Sequence, residues 1–269
     1  MLISVRHLTR YRYDAPVSYA IQSVRLTPAA SKGQRVVNWR VRVSGCERPL
    51  QFTDAFGNTV HVAAINTPHQ ELVIEAGGTI ETQDCNGIVA GLSEAIPERV
   101  YLRVTAQTRP DAGILELARS ADGKDRLEKL HALTAAVRSR VDYVPGATDA
   151  HTEAAEALAD GRGVCQDHAH IFIAAARSLG VPARYVTGYL VMDAANTAHA
   201  HHAWAEAWVE GLGWVGFDVA NRICPTDRYV RLAAGLDAGY AAPIIGSRRG
   251  GETEVLEVSV EVQRQSAQQ

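Results

Sequence analysis

No stretch of the chain comes near the roughly 18 consecutive apolar residues that a membrane helix needs, so no spanning helix is expected. Residues Met1 to Arg10 also lack the apolar region and small-residue cleavage site of a secretory leader, since Arg6 interrupts them early. The expectation is a soluble, cytoplasmic protein. An excess of basic residues is missing too. With a formal net charge of -3 and a pI near 6.4, the chain has no field that would collect on nucleic acid or anionic lipid. Neither nucleic acid nor a membrane is therefore expected as a partner. Cysteine is sparse and scattered: Cys46, Cys85, Cys165 and Cys224 lie far apart with no CxxC pair, which excludes a disulfide framework and a cysteine zinc site. They are read as reduced thiols, and the question becomes which of them is special. No internal repeat is found. What is present is enough apolar residue, 46% of 269, for one large domain or two modest ones.

From Leu2 to about Thr108 the sequence alternates with the period of half-buried strands, as in Val37, Trp39, Val41 and Val43 against Asn38, Arg40 and Arg42. Further strands are predicted at 51–53, 59–65, 71–76 and 100–106, separated by turns such as Phe56-Gly57-Asn58. The segment 1–110 is thus predicted to be an antiparallel β domain of about six or seven strands. Arg109-Pro110-Asp111 ends the pattern, and the segment 111–269 forms the second predicted domain. There, Leu127, Leu130, Thr134, Val137 and Val141 mark one face of a helix over about 125–141. A short helix over 153–159 has Thr152 as its predicted N-cap and Gly161 as its stop. A third helix opens at Cys165 and ends at Gly180, with Pro182 beyond. Strands follow at 183–192, 203–209, 213–217 and 255–262, with a linker at 247–251 and a polar tail after Gln263. Helices followed by an antiparallel sheet give an α+β class.

Cys165 stands at a helix start, where about half a positive charge and unpaired N–H groups favour a thiolate. The helix after it, Ala169 to Ala176, is apolar on nearly every face, so it is predicted to be buried and rigid. The plainer reading, that Cys165 is a small core residue, holds if nothing downstream matches it. Something does match. His202, Trp204, Glu206 and Trp208 alternate with small apolar residues, then Glu210–Gly213 turns the chain and Trp214–Asp218 returns beside it. A register opposing Trp204 to Asp218 puts His202 diagonally beside the carboxylate, on one side of the hairpin. A slip of one residue sends Asp218 to the other face. His202 could instead belong to a metal-binding cluster with His199 and His201, to which His168 and His170 add donors. No second Cys or carboxylate at ligand spacing completes such a set, so those four histidines are expected to support the site or face solvent.

The runs Gly163-Val164-Cys165-Gln166-Asp167-His168-Ala169-His170, Gly180-Val181-Pro182-Ala183-Arg184-Tyr185-Val186-Thr187-Gly188-Tyr189, His202-Ala203-Trp204 and Gly216-Phe217-Asp218 resemble the core of the transglutaminase-like superfamily. Tyr11-Arg12-Tyr13, Pro16-Val17 and Asp54–Asn58 resemble the β domain that precedes this core in many bacterial members. The resemblance implies an N-terminal antiparallel β domain followed by a papain-related catalytic domain, with a central helix packed on an antiparallel sheet. By position it implies Cys165 as nucleophile, His202 as base and Asp218 as the residue orienting that base. Val219 departs from the proline that commonly follows the aspartate. The implied chemistry is acyl transfer from an amide of a peptide or protein substrate, without cofactor or metal. Water as acceptor makes a peptidase or amidase, the favoured outcome, and an amine makes a cross-linking transamidase. A catalytically silent binding module is the alternative of another kind. Gln166 is a candidate second oxyanion donor beside the Cys165 N–H. Whether the chain forms a homo-oligomer stays open.

Overall fold

The computed structural model describes residues 1–192 and 201–265. It opens with β1 (Leu2–Thr27), β2 (Gln34–Val43), β3 (Leu50–Thr53), β4 (Thr59–Ile65), β5 (His69–Thr82) and the two-residue β6 (Ile88–Val89). Next come α1 (Ala112–Ser120), α2 (Arg126–Arg140), β7 (Asp142–Tyr143), α3 (Ala154–Asp160), β8 (Arg162–Gly163) and α4 (Cys165–Ser178). The remainder is β9 (Ala183–Leu190), β10 (His201–Val209), β11 (Gly213–Phe217), β12 (Tyr229–Gly235), β13 (Ile244–Gly250) and β14 (Glu254–Arg264). The fold is α+β with antiparallel main sheets, as the sequence predicts. Among the described residues no helix is long and apolar enough to cross a membrane.

The first sheet has seven strands, five of them in the order β2-β5-β1-β4-β3. The long β1 serves two halves of it. Ile3–Arg12 lies between β5 and β14, whereas Ala20–Val24 lies between β4 and β13. Both halves bury one set of alternate residues, including Ile3, Val5, Val24 and Leu26, in a single core. Of the six or seven strands expected within 1–110, five build this sheet, and its other two arrive from the far end of the sequence. Residues 247–250, expected to be linker, are strand, because the free backbone edge of β1 pairs with them from Val17 to Ile21. The division expected at residue 110 is crossed in the other direction as well, since β6 pairs with β11 in the second sheet.

Residues 100–106 do not form the expected strand. Glu98–Leu102 is a 3₁₀ turn with Tyr101 buried edge-on against Trp214, and the Thr108 hydroxyl accepts from the Thr105 N–H at 3.2 Å. Local side-chain bonds of this kind compete with strand pairing. Helix α2 has Asp125 as N-cap, its carboxylate accepting from Glu128 N at 2.8 Å. Thr152 does not cap α3. Its hydroxyl accepts from Asp149 N at 3.0 Å, so the helix begins one residue later than expected, while Gly161 closes it at φ 67° as predicted.

The second sheet runs β12-β9-β10-β11-β6. Helix α4 lies against it through Ala203, Ala205 and Ala207, whose small side chains allow close approach, and α1, α2 and α3 cover its other sides. Ile171, Phe172 and Ile173 in α4 are fully buried. The two sheets also share a core, because Tyr189 of β9 and Val230 and Leu232 from β12 pack among the residues of the first sheet.

Candidate active site

Cys165 begins α4, after Val164 as N-cap. Asp167 fastens that start: its Oδ2 accepts from Val164 N at 2.7 Å and from the Thr148 hydroxyl at 2.6 Å. Gly163 is required beside it, since a Cβ there would sit 2.7 Å from Asp167 Cβ. The Val164 carbonyl takes His168 Nδ1 at 2.8 Å, and Nε2 of the same ring reaches the Val141 carbonyl at 3.0 Å. The thiol is thus anchored to a helix that cannot shift without breaking buried bonds. Its own side chain is half-buried.

The β10–β11 hairpin supplies the other two groups. Ala205 pairs with Phe217 and Trp208 with Trp214, which continues to Trp204 opposite Asp218, the predicted register. His202 Nε2 meets Asp218 Oδ2 at 2.7 Å, both side chains being buried. The Cys165 sulfur stands close enough to the ring to favour its protonated form. With Nε2 taken by Asp218, Nδ1 is the nitrogen left for the sulfur. Burial works against an imidazolium here, but the hydrogen bond and charge of Asp218 and the neighbouring Cys165 sulfur outweigh it and push His202 up to about 10. Burial likewise opposes ionisation of Asp218, yet bonds from His202, Tyr229 and Asn221 hold its carboxyl below the usual range.

The structure therefore brings Cys165, His202 and Asp218 together and adds partners that were not foreseen. Tyr229 donates its hydroxyl to Asp218 Oδ2 at 2.6 Å, and Asn221 donates Nδ2 at 2.7 Å. Trp204 lies nearly parallel to the His202 ring, centroids 6.4 Å apart. Asn221, three residues past Asp218, could have been suspected as a turn partner; Tyr229 carries no local signal, because it comes from β12, which β9 separates from β10 in the sheet. Tyr143 stands close enough to Cys165 and Asp218 that, after burial, their charges raise its hydroxyl.

The remaining histidines separate into structural roles. His168 and His170 are both fully buried, not facing solvent. His170 Nε2 accepts from Ala238 N at 3.0 Å, and burial, then the Arg177 charge, lowers it to about 3. His201 pairs with Thr187 at 3.0 Å, and His199 lies outside the described residues. Gln166 turns its Nε2 to the Ala150 carbonyl at 3.4 Å.

Two family profiles divide this chain between them. That of the transglutaminase-like superfamily matches residues 116–219, and that of the bacterial transglutaminase-like N-terminal region matches residues 3–81. The uncharacterized protein ML0607 of Mycobacterium leprae is 31% identical over 97% of this chain and 98% of its own. The chain belongs to the transglutaminase-like superfamily. A second relative, the uncharacterized protein Rv2569c of Mycobacterium tuberculosis, is 28% identical over 96% of this chain and 91% of its own. A crystal structure of a candidate cysteine protease from Cytophaga hutchinsonii superimposes with a TM-score of 0.72 at 23% identity, covering 100% of this chain and 92% of the other. This transglutaminase-like protein shares that fold in both its sheets.

Proposed function

We propose that the protein is a thiol-dependent acyl-transfer enzyme that cleaves amide bonds, with Cys165 as nucleophile, His202 as acid and base, and Asp218 as the residue orienting the imidazole. The observation that carries this reading is the 2.7 Å bond from His202 Nε2 to the buried Asp218, on an imidazole that stands beside the half-buried thiol at the α4 N-terminus. His202 Nδ1 takes the proton of Cys165, and the thiolate attacks the substrate carbonyl carbon. The oxygen, now negative, lies toward the Cys165 N–H at the helix start. The imidazolium gives its proton to the departing amine, leaving a thioester. A water molecule deprotonated by His202 then attacks the thioester and restores the thiol. Water is the proposed acceptor because Cys165 is only half-buried. The substrates are peptide or protein amides. A cytoplasmic location, also proposed, keeps the thiol reduced.

The test combines labelling with turnover. One equivalent of iodoacetamide should enter wild-type protein near neutral pH and none should enter at this position in Cys165→Ala. Incubation with a peptide library, with and without an amine donor, should give peptides cut by hydrolysis in wild type alone. Amine-mass addition would replace hydrolysis by transamidation. Absence of both, with Cys165 no more reactive than Cys46, would leave a binding module instead.

A further inference from the structure

A second cavity lies on strands that carry none of Cys165, His202 and Asp218. A cavity of 290 Å³ opens between the two halves of the first sheet, lined by Tyr11, Tyr13, Gln22, Ser247, Arg248 and Glu254. Its lining is polar although it penetrates a β core. Gln22 projects from the same face as the core residues Ala20 and Val24 and is 5% exposed, yet its Oε1 has no hydrogen-bond partner. A buried carboxamide oxygen left unpaired costs about 1–3 kcal/mol, so such atoms mark places where a ligand or water completes the structure. The backbone makes room for this group. A Cβ on the neighbouring Gly246 would sit 2.2 Å from Gln22 Oε1, so the carboxamide can lie there only because residue 246 is glycine.

The rest of the lining narrows the chemistry. Arg248 is already neutralised by Glu254, with Nε to Oε2 at 3.2 Å, and its guanidinium also lies over the Tyr13 ring at 5.2 Å. The cavity consequently offers no uncompensated charge to an ion. Burial, then Glu254 and Tyr13, push the Tyr11 hydroxyl up to about 12, so it stays a proton donor. Two phenol rings provide flat apolar faces, and the hydroxyls, carboxamide and carboxylate provide donors and acceptors of both senses. Rotating the Gln22 carboxamide would exchange an orphan acceptor for an orphan donor. A ligand hydroxyl, which both gives and accepts at one atom, satisfies either arrangement. The volume equals that of roughly ten waters at about 30 Å³ each, the room needed by one hydroxylated ring and not by a chain of them.

We propose that this cavity binds a neutral sugar ring, whose hydroxyls complete the Gln22 carboxamide and whose apolar face lies on Tyr11 or Tyr13. Ser247 and Glu254 are exposed and form the mouth, so a terminal residue of a larger glycan could enter. The site is independent of the thiol chemistry.

The test is saturation-transfer NMR on the full chain with glucose, galactose and N-acetylglucosamine as probes. At least one should receive saturation from the protein, and its affinity should fall tenfold or more in Gln22→Leu and in Tyr11→Phe. Gln22→Leu removes the orphan at similar volume, so its melting temperature should be unchanged or higher. Should it fail to fold, Tyr11→Phe, which keeps the ring, decides alone. Silence from all three sugars at tens of millimolar, as expected of a merely water-filled cavity, would overturn the proposal. So would a signal that survives in every folded variant.

Discussion

Asp218 carries more hydrogen bonds than orienting a histidine requires. His202, Tyr229 and Asn221 all converge on its Oδ2, and Asn221 N also reaches Oδ1 at 3.1 Å. In a buried setting these donors take the place of water and keep the carboxylate ionised. Asp218→Asn would leave the geometry but remove the charge, and the labelling rate of Cys165 at pH 7 should fall by about 10-fold or more, toward that of an ordinary thiol. Removing Tyr229 and Asn221 as donors (Tyr229→Phe with Asn221→Ala) raises the Asp218 carboxyl toward its ordinary range. The acid limb of the rate-against-pH curve should then move to higher pH, which stopped labelling at a series of pH values would read. His202 has the opposite sign. Its folded pKa of about 10 exceeds the ordinary 6.5, so its contribution to stability is fully present below 6.5 and is lost as pH rises toward 10. Urea midpoints across that window should decline in wild type more steeply than in His202→Asn.

Strand β12 shows how an element can be held by side chains standing in for a neighbour. It is an edge of the second sheet, and two carboxamides, one from β2 and one from the β3–β4 turn, close it. Gln34 accepts from Arg231 N and donates to Arg231 O, each at 2.8 Å, while Asn58 does the same for Ala234, again at 2.8 Å. Because β12 carries Tyr229 to Asp218, this edge also steadies the candidate site. Gln34→Ala leaves two buried backbone groups unpaired and should cost roughly 2–4 kcal/mol in a denaturant titration. On β10, Glu206 is fully buried between Arg184 and Arg231, at 2.6 Å and 2.9 Å. Burial opposes its charge, yet Arg231 and Arg184 lower it to about 2. Its stabilising contribution is therefore complete above about 4.5 and is lost as pH falls toward 2. Glu206→Gln should lose roughly 3–5 kcal/mol at neutral pH and show a flatter acid limb in a thermal-melt series.

Over the whole molecule the two sheets are interlocked and not strung in sequence. The C-terminal β13 and β14 flank β1 from Ile3 to Tyr13 and from Val17 to Val24, so a chain stopped after Pro243 would expose that long edge. Such a truncation should elute as aggregate in size-exclusion chromatography while the full chain does not. The same exchange explains what could be read in advance. Period, caps and turn residues act over a few neighbours, so α2, α4 and the β10–β11 hairpin with its register were legible, and with them the positions of Cys165, His202 and Asp218. The strand expected at 100–106 and the Thr152 cap failed where side chains close local hydrogen bonds instead, Thr108 on Thr105 and Thr152 on Asp149. Strand β13, the support of Asp218 by Tyr229 and the Gln22 cavity were illegible for a different reason. Each joins residues far apart in the chain, and hydrogen-bond partners so distant leave no periodicity behind; only the packed sheets bring them face to face.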